Sequence, residues 1–412
     1  MERLELGAAV MMPSRPGSGS PGEVLRAFLR LGLTSFGGPI AHLGYFREEF
    51  VVRRRWVDDA SFTDLVALGQ FLPGPASSQV GFALGLSRAG WLGGLAAWAG
   101  FTLPSAVLLF LFARGTSLFA APWTAGLLHG LKLVAVGIVA QAVWGMARSL
   151  CPDRQRAAIA LLGACAVLGG FSSLNQVLAI GLGGVAGLAF CRGGETRTVG
   201  TLSIPVSRAA GVACLALFAV LLVGFQVGAR LWPGSGVALF EAFYRSGALV
   251  FGGGHVVLPL LRGAVVVPGW VSDDVFLAGY GAAQAVPGPL FTFAAYLGAA
   301  ALPSRPLPGA LIALMGIFLP GMLVLSGALP FWDRFRRNAW AQAAMKGINA
   351  SVVGILGAAL YDPVFATSVR THTDFGIALG CFVLLVSWRL PPLVVVCLGA
   401  AAGVVAGMLG GP

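Results

Sequence analysis

A Pro-Gly-Pro triplet interrupts an apolar stretch that is otherwise long enough to cross a bilayer: Gln70-Phe71-Leu72-Pro73-Gly74-Pro75. The triplet cannot be an ordinary helix interior, because each proline removes a backbone donor and clashes with the preceding turn, while the glycine adds conformational freedom. The same feature returns at Gln284-Ala285-Val286-Pro287-Gly288-Pro289, an offset of 214 residues. The correspondence extends to both sides. Phe36-Gly37-Gly38 matches Phe251-Gly252-Gly253, and Trp56 with Asp58-Asp59 matches Trp270 with Asp273-Asp274. Phe101-Thr102-Leu103-Pro104 matches Ile317-Phe318-Leu319-Pro320, and Gly130 and Gly137 match Gly347 and Gly354. One unit has been duplicated, and each copy carries a helix breaker at membrane depth.

The surroundings of these breaks are those of a membrane protein. Of 412 residues, 57% are hydrophobic and 10% charged, with a mean hydropathy of +0.85. Long apolar runs with so few charges predict transmembrane helices in a lipid bilayer. The net charge of +11 is spread over loops, which argues for orientation in a membrane and against a nucleic-acid partner. The six cysteines lie far apart, and the four histidines form no metal-binding pattern. Gly252-Gly253-Gly254 follows an apolar helix and lacks the Lys-Ser/Thr of a phosphate-binding loop. With no flavin, haem, nucleotide or metal motif, neither an enzyme nor a cofactor is expected.

Residues 1–22 are rich in Pro, Gly and Ser and predict a disordered N-terminal segment without a cleavable signal peptide. Thirteen apolar segments follow, at about 25–44, 61–86, 90–113, 124–148, 156–170, 174–190, 209–230, 237–261, 275–301, 307–329, 340–360, 373–388 and 391–410. They divide into a first repeat (23–190), a cytoplasmic loop with a linker transmembrane helix (191–236) and a second repeat (237–412). The fold expected is an all-α polytopic membrane protein, with two inverted-topology homologous repeats joined by a central transmembrane helix and with Pro-Gly-Pro-broken helices or re-entrant segments. Either the thirteen segments all cross, or the first two of each copy re-enter. The second arrangement leaves only Arg114, Arg230, Arg262, Arg305 and Arg370 outside and fits the positive-inside rule better. In both arrangements each copy crosses an even number of times and the linker once, so the second copy is upside down. The N-terminus is then cytoplasmic and the C-terminus periplasmic or extracellular. Inverted repeats with broken helices are the pattern of secondary transporters.

A broken helix supplies free N–H groups and the positive end of a dipole, an anion site that needs no charged side chain. The predicted substrate-binding set is therefore Gln70, Pro73, Gly74, Pro75, Ser77 and Ser78 in copy one and Gln284, Pro287, Gly288, Pro289 and Thr292 in copy two. Copy two has Phe291 and Phe293 where copy one has Ser77 and Gln79, so its half is less polar. Gly37, Gly38, Gly252 and Gly253 mark a second break beside the first, with Thr34 and Ser35 as additional donors. Helix kinks and small-residue packing for shape alone are the alternative. Lys132 completes the set, since an intramembrane cation is by default a functional residue; Asn349 stands opposite it in copy two. Coupling or gating falls to His42, Glu49, Asp64, Arg30 and Arg245, with solvated loops, ion pairs and snorkelling as alternatives.

Phe36-Gly37-Gly38-Pro39-Ile40-Ala41-His42, Glu49-Phe50-Val51, Arg54-Arg55-Trp56 and Gln70 to Pro75 with Gln79 resemble the chromate ion transporter family. So do Phe251-Gly252-Gly253-Gly254-His255 and Val286-Pro287-Gly288-Pro289. The resemblance covers nearly the whole chain after residue 22 and matches the long bidomain form. It implies an inner-membrane secondary transporter that expels chromate and confers chromate resistance, with proton-coupled exchange and sulfate competition. Chromate and sulfate are tetrahedral dianions of similar size, and no residue tells them apart. A sulfate transporter and a passive anion channel therefore remain as alternatives, and a homodimer remains open as an assembly.

Overall fold

The computed structural model describes residues 19–116, 122–168, 173–192, 204, 206–233, 235–251, 254–335 and 338–409, and among these all regular structure is helical. Helix α1 (Pro21–Thr34) starts with proline at its first turn, and the Ser20 hydroxyl caps it by accepting from the Glu23 N–H. The helix therefore reaches two residues into the stretch expected to be disordered, because a capped N-terminus tolerates Pro21. Next come α2 (Gly38–Phe46), which continues into a π turn at Arg47–Arg53, then α3 (Asp59–Phe71) and α4 (Ala76–Thr116). Copy one closes with α5 (Pro122–Leu150), α6 (Arg154–Leu168) and α7 (Ser173–Phe190). The linker is α8 (Arg208–Leu231), almost wholly exposed at the rim of the molecule, as suits a helix facing lipid.

Copy two repeats the order with α9 (Gly236–Ala248), α10 (Val257–Leu261), α11 (Asp273–Ala283), α12 (Phe293–Ala301) and α13 (Pro306–Ala328). It ends with short α14 (Trp332–Phe335), then α15 (Ala339–Ala359), short α16 (Ala366–Ser368), α17 (His372–Val386) and α18 (Pro392–Leu409). Among the described residues, five helical runs are long and apolar enough to cross a membrane.

The predicted segments that carry breaks do not run straight through. Phe28 of α1 packs on Phe46 of α2 and on Phe50 beyond it, with ring centroids 5.4 and 4.7 Å apart, so the chain folds back at Ser35–Gly37. In copy two, Tyr280 of α11 meets Phe293 of α12 at 5.9 Å, and the Tyr296 hydroxyl donates to the Val275 carbonyl at 3.0 Å. Those pairs straddle Pro287-Gly288-Pro289 as the two arms of a hairpin do. An 11-residue helix such as α11 spans only about 16 Å, roughly half the hydrocarbon thickness. Helix α4 is likewise not one rod. Ala89 and Gly90 leave helical geometry, and Gly85 lies against the backbone of Gly93 beyond the kink. Gly298 and Gly309 form the matching contact between α12 and α13.

The two copies are interlocked. Helix α5 of copy one packs on α17 and α18 of copy two, while its counterpart α15 packs on α6 and α7 of copy one. The matched glycines line these seams: Gly130 touches Gly399 and Gly137 touches Cys381, while Gly347 touches Gly183 and Gly354 touches Ala160. Close helix approach through small residues is how membrane helices associate without a hydrophobic driving force. Exchange of equivalent contacts in both directions is the mark of a two-fold relation between the copies.

Candidate functional site

The same reciprocity holds at the breaks. The Gly74 N–H donates to the Val250 carbonyl (2.8 Å), and the Gly288 N–H donates to the Ser35 carbonyl (2.9 Å). Each Pro-Gly-Pro of one copy is thus hydrogen-bonded to the residue before the Phe-Gly-Gly break of the other. Pro39 and its counterpart Gly254 pack against each other between them. Gly74 and Gly288 hold φ of +122° and +97°, a region that disfavours any side chain. A Cβ on Gly74 would lie 2.9 Å from the Gly321 Cα, and one on Gly288 would lie 2.9 Å from the Ser105 Oγ. These are equivalent positions of α13 and α4, so each break leans on the proline-bearing helix of the opposite copy.

The side chains around the two breaks differ. In copy one Ser35, His42, Ser77, Ser78, Gln79, Thr102 and Ser105 are all buried. His42 Nδ1 and Ser77 Oγ are hydrogen-bonded at 3.3 Å, and Phe101 stands edge-on to the His42 ring. The Gln79 amide nitrogen donates to the Pro73 carbonyl (2.8 Å) and the Gly321 carbonyl (3.0 Å), tying the break to copy two. His42 Nε2, Ser35 Oγ, Ser78 Oγ, Gln79 Oε1 and Thr102 Oγ1 are buried without a protein partner. Buried polar atoms in that condition are costly and call for a partner such as water or an ion. At the start of α2 the cap is Gly37 in the left-handed region, with no side-chain cap on the first-turn N–H groups. In copy two the corresponding space holds Val250, Val257, Phe291, Phe293 and Phe318, all buried and apolar. Thr292 is buried there too, but its hydroxyl already donates to the Pro289 carbonyl at 2.7 Å.

The remaining sequence-derived residues divide sharply. Pro73, Pro75, Pro287 and Pro289 flank the two reciprocal bonds, and Gly38 opens α2 at φ +79°. Gly252 and Gly253 lie outside the described residues. Gln70, expected at the site, is exposed on α3, one turn before the break. The side chain that ties the break to copy two is Gln79. Gln284 is half-buried with its amide nitrogen unpartnered. Thr34 is exposed and donates to its own helix at the Arg30 carbonyl, away from the break. Arg30 is exposed on α1, and Arg245 is paired with Glu241 one turn away at 2.6 Å. Glu49 is buried and bound by Arg53 and Arg54, each at 2.7 Å, where the π turn ends. Asp64 is buried within α3. Of the coupling set, His42 is brought to the break by its contact with Ser77.

Lys132 lies elsewhere, in a cavity of about 680 Å³ between the copies. Its ammonium donates to Asp274 Oδ1 of copy two at 2.8 Å. Arg114, His129 and Arg370 line the same cavity, and His129 is bonded to Asp374 at 2.7 Å. Sequence reasoning singled out Lys132 alone, since Arg114, His129, Asp274 and Arg370 come together only through the interlocking of α5 with copy two.

The family model for chromate transporters matches residues 22–188 and 237–404. The chain is 30% identical to a chromate transport protein of Pseudomonas aeruginosa over 393 residues, 92% of this chain and 90% of that protein. It is 25% identical to a probable chromate transport protein of Synechococcus elongatus over 397 residues, 93% of this chain and 95% of that protein. An uncharacterised transporter of Methanocaldococcus jannaschii is 24% identical over 383 residues, 90% of this chain and 87% of that protein. No solved structure matches the chain.

Proposed function

This chain belongs to the chromate transporter family, and from that premise we propose that it exports chromate across the inner membrane by proton-coupled alternating access and so confers chromate resistance. The observation that carries the reading is the reciprocal pair of bonds, Gly74 to Val250 and Gly288 to Ser35. Two broken helices of inversely oriented copies meet at one place, and movement of one bundle of helices against another opens that place to either face. The cargo is a tetrahedral dianion held on the copy-one side, where Ser77, Ser78 and Thr102 offer hydroxyls and the first turn of α2 offers N–H groups. Such a site binds charge through dipoles and hydrogen bonds, and it releases its anion more readily than a ring of cations would. His42 sits one hydrogen bond from Ser77. A proton arriving at His42 stabilises the bound dianion, and its departure weakens the grip, which couples the two flows.

The test is flux of labelled chromate in proteoliposomes containing the full chain, with an imposed pH gradient and with sulfate as competitor. Uphill chromate movement driven by the gradient is the expected result. Chromate flux that ignores the gradient would make the protein a passive channel, and sulfate flux without chromate flux would reassign the cargo. Cells expressing the protein should accumulate less labelled chromate, and an uncoupler should abolish the difference.

A further inference from the structure

The cavity around Lys132 is separate from the breaks, and its chemistry is different. Its lining includes Arg114, His129, Lys132, Asp274 and Arg370. The pair at its centre is unequal: the Lys132 side chain is 8% exposed and that of Asp274 64%. A buried ammonium without a counter-ion is expensive, so Lys132 favours holding an anion. A largely solvated carboxylate loses little on returning to water, so Asp274 is the partner that can leave.

The pair also joins the copies. Lys132 belongs to α5 of copy one and Asp274 to the first turn of α11 in copy two. The far end of α11, Ala283, directly precedes Gln284 and the second Pro-Gly-Pro. The equivalent position in copy two breaks the symmetry. Arg47 pairs with Asp59 in copy one and Arg262 with Asp273 in copy two. This leaves Asp274 to reach across to Lys132, and the residue matching Lys132 is the uncharged Asn349. The charged cross-copy pair therefore exists for one of the two equivalent positions.

We propose that this cavity is a second anion site, a vestibule in which a tetrahedral dianion displaces Asp274 from Lys132. A dianion offers Lys132 more charge than a carboxylate and can engage Arg114 and Arg370 at the same time. Its arrival frees the start of α11 from copy one, so occupancy of the vestibule loosens the helix that ends at the second break. The inference takes from the proposed function only that the cargo is a dianion, and the vestibule serves one face of the transporter.

Trp270 lines the cavity and reports on it. The measurement is sulfate titration of the purified full chain, read as the part of the tryptophan emission change that disappears in Trp270→Phe. Lys132→Gln should raise the half-saturating sulfate concentration about tenfold, the loss of one charge-assisted hydrogen bond. Asp274→Asn should lower it several-fold because the competitor is removed and sulfate then supplies the counter-ion that buried Lys132 lacks. Arg370→Gln should raise it several-fold. Absence of a Trp270-dependent change, or an Asp274→Asn titration that matches the wild type, overturns the vestibule. Loss of chromate flux with these shifts intact would instead remove the proposed cargo and leave the vestibule standing.

Discussion

The break at Pro73-Gly74-Pro75 and the break at Pro287-Gly288-Pro289 share a backbone and differ in side chains. Both glycines adopt positive φ, both N–H groups are spent on the opposite copy, and both lean on equivalent positions of the opposite proline-bearing helix. Around the first lie buried Ser77, Ser78, Gln79, Thr102 and His42; around the second lie Phe291, Phe293, Phe318 and Val257. Duplication kept what the two-fold interface requires of the backbone and let the side chains diverge. The first break is lined by polar groups and the second by a hydrophobic counter-surface, so the polar pocket sits off the axis of its own scaffold.

That division can be broken most forcefully at the glycines. Gly74→Val and Gly288→Val should each cut chromate flux more than tenfold while the protein still inserts. Each forces a side chain into positive φ, at about 1–3 kcal/mol of strain, and into the opposite copy. A large loss at one glycine and none at the other would mean that the reciprocal bonds are not jointly required. Next in size is Gln79→Leu. It leaves the carbonyls of Pro73 and Gly321 without their donor, at about 1–3 kcal/mol each, and should lower the melting temperature clearly. The matched Phe293→Leu keeps an apolar contact and should cost about 1 kcal/mol.

The cargo side is sharpened by hydroxyls. Ser77→Ala should raise the half-saturating chromate concentration about tenfold, the worth of one hydrogen bond to a charged ligand. Thr292→Val should change it less than about twofold, since that hydroxyl is already committed to Pro289. Equal effects would place the cargo on the axis. The smallest effect belongs to the helix caps. The Asp58 carboxylate caps α3 by accepting from the Ser61 N–H (2.8 Å), whereas Ser272 caps α11. The Ser61 N–H holds the Asp58 carboxyl below its ordinary value of 3.8. Its folded value is depressed, so its contribution is present above that ordinary value and is lost as pH falls beneath it. Asp58→Ala should cost about 1 kcal/mol, and in the wild type hydrogen exchange in the first turn of α3 should rise in strong acid.

Much of this was legible in the chain. A proline triplet inside an apolar run has few solutions, so the breaks, the duplication and the polar character of the first copy could be read directly. Gln70 and Gln79 show where that reading stops. Both flank Pro-Gly-Pro, and Gln70 even has a twin in Gln284, yet Gln70 is exposed and Gln79 is buried and ties the break. Which way a side chain faces beside a broken helix depends on helix phase, and proline and glycine reset that phase. The vestibule was harder still. Lys132 was conspicuous as a lone intramembrane cation, but Asp274 and Arg370 lie more than a hundred residues away in sequence.

The sequence by itself determined the membrane class, the two copies and the four places where their helices break, because backbone hydrogen bonding in lipid admits so few alternatives. The tertiary structure alone decided which copy faces which. It set Gly74 against Val250, α5 against α17 and α18, and Lys132 against Asp274. Apolar helices carry little information about their partners, since lipid tails are as apolar as their neighbours. Pairing is fixed by where small residues let backbones touch, and that is a property of assembled surfaces.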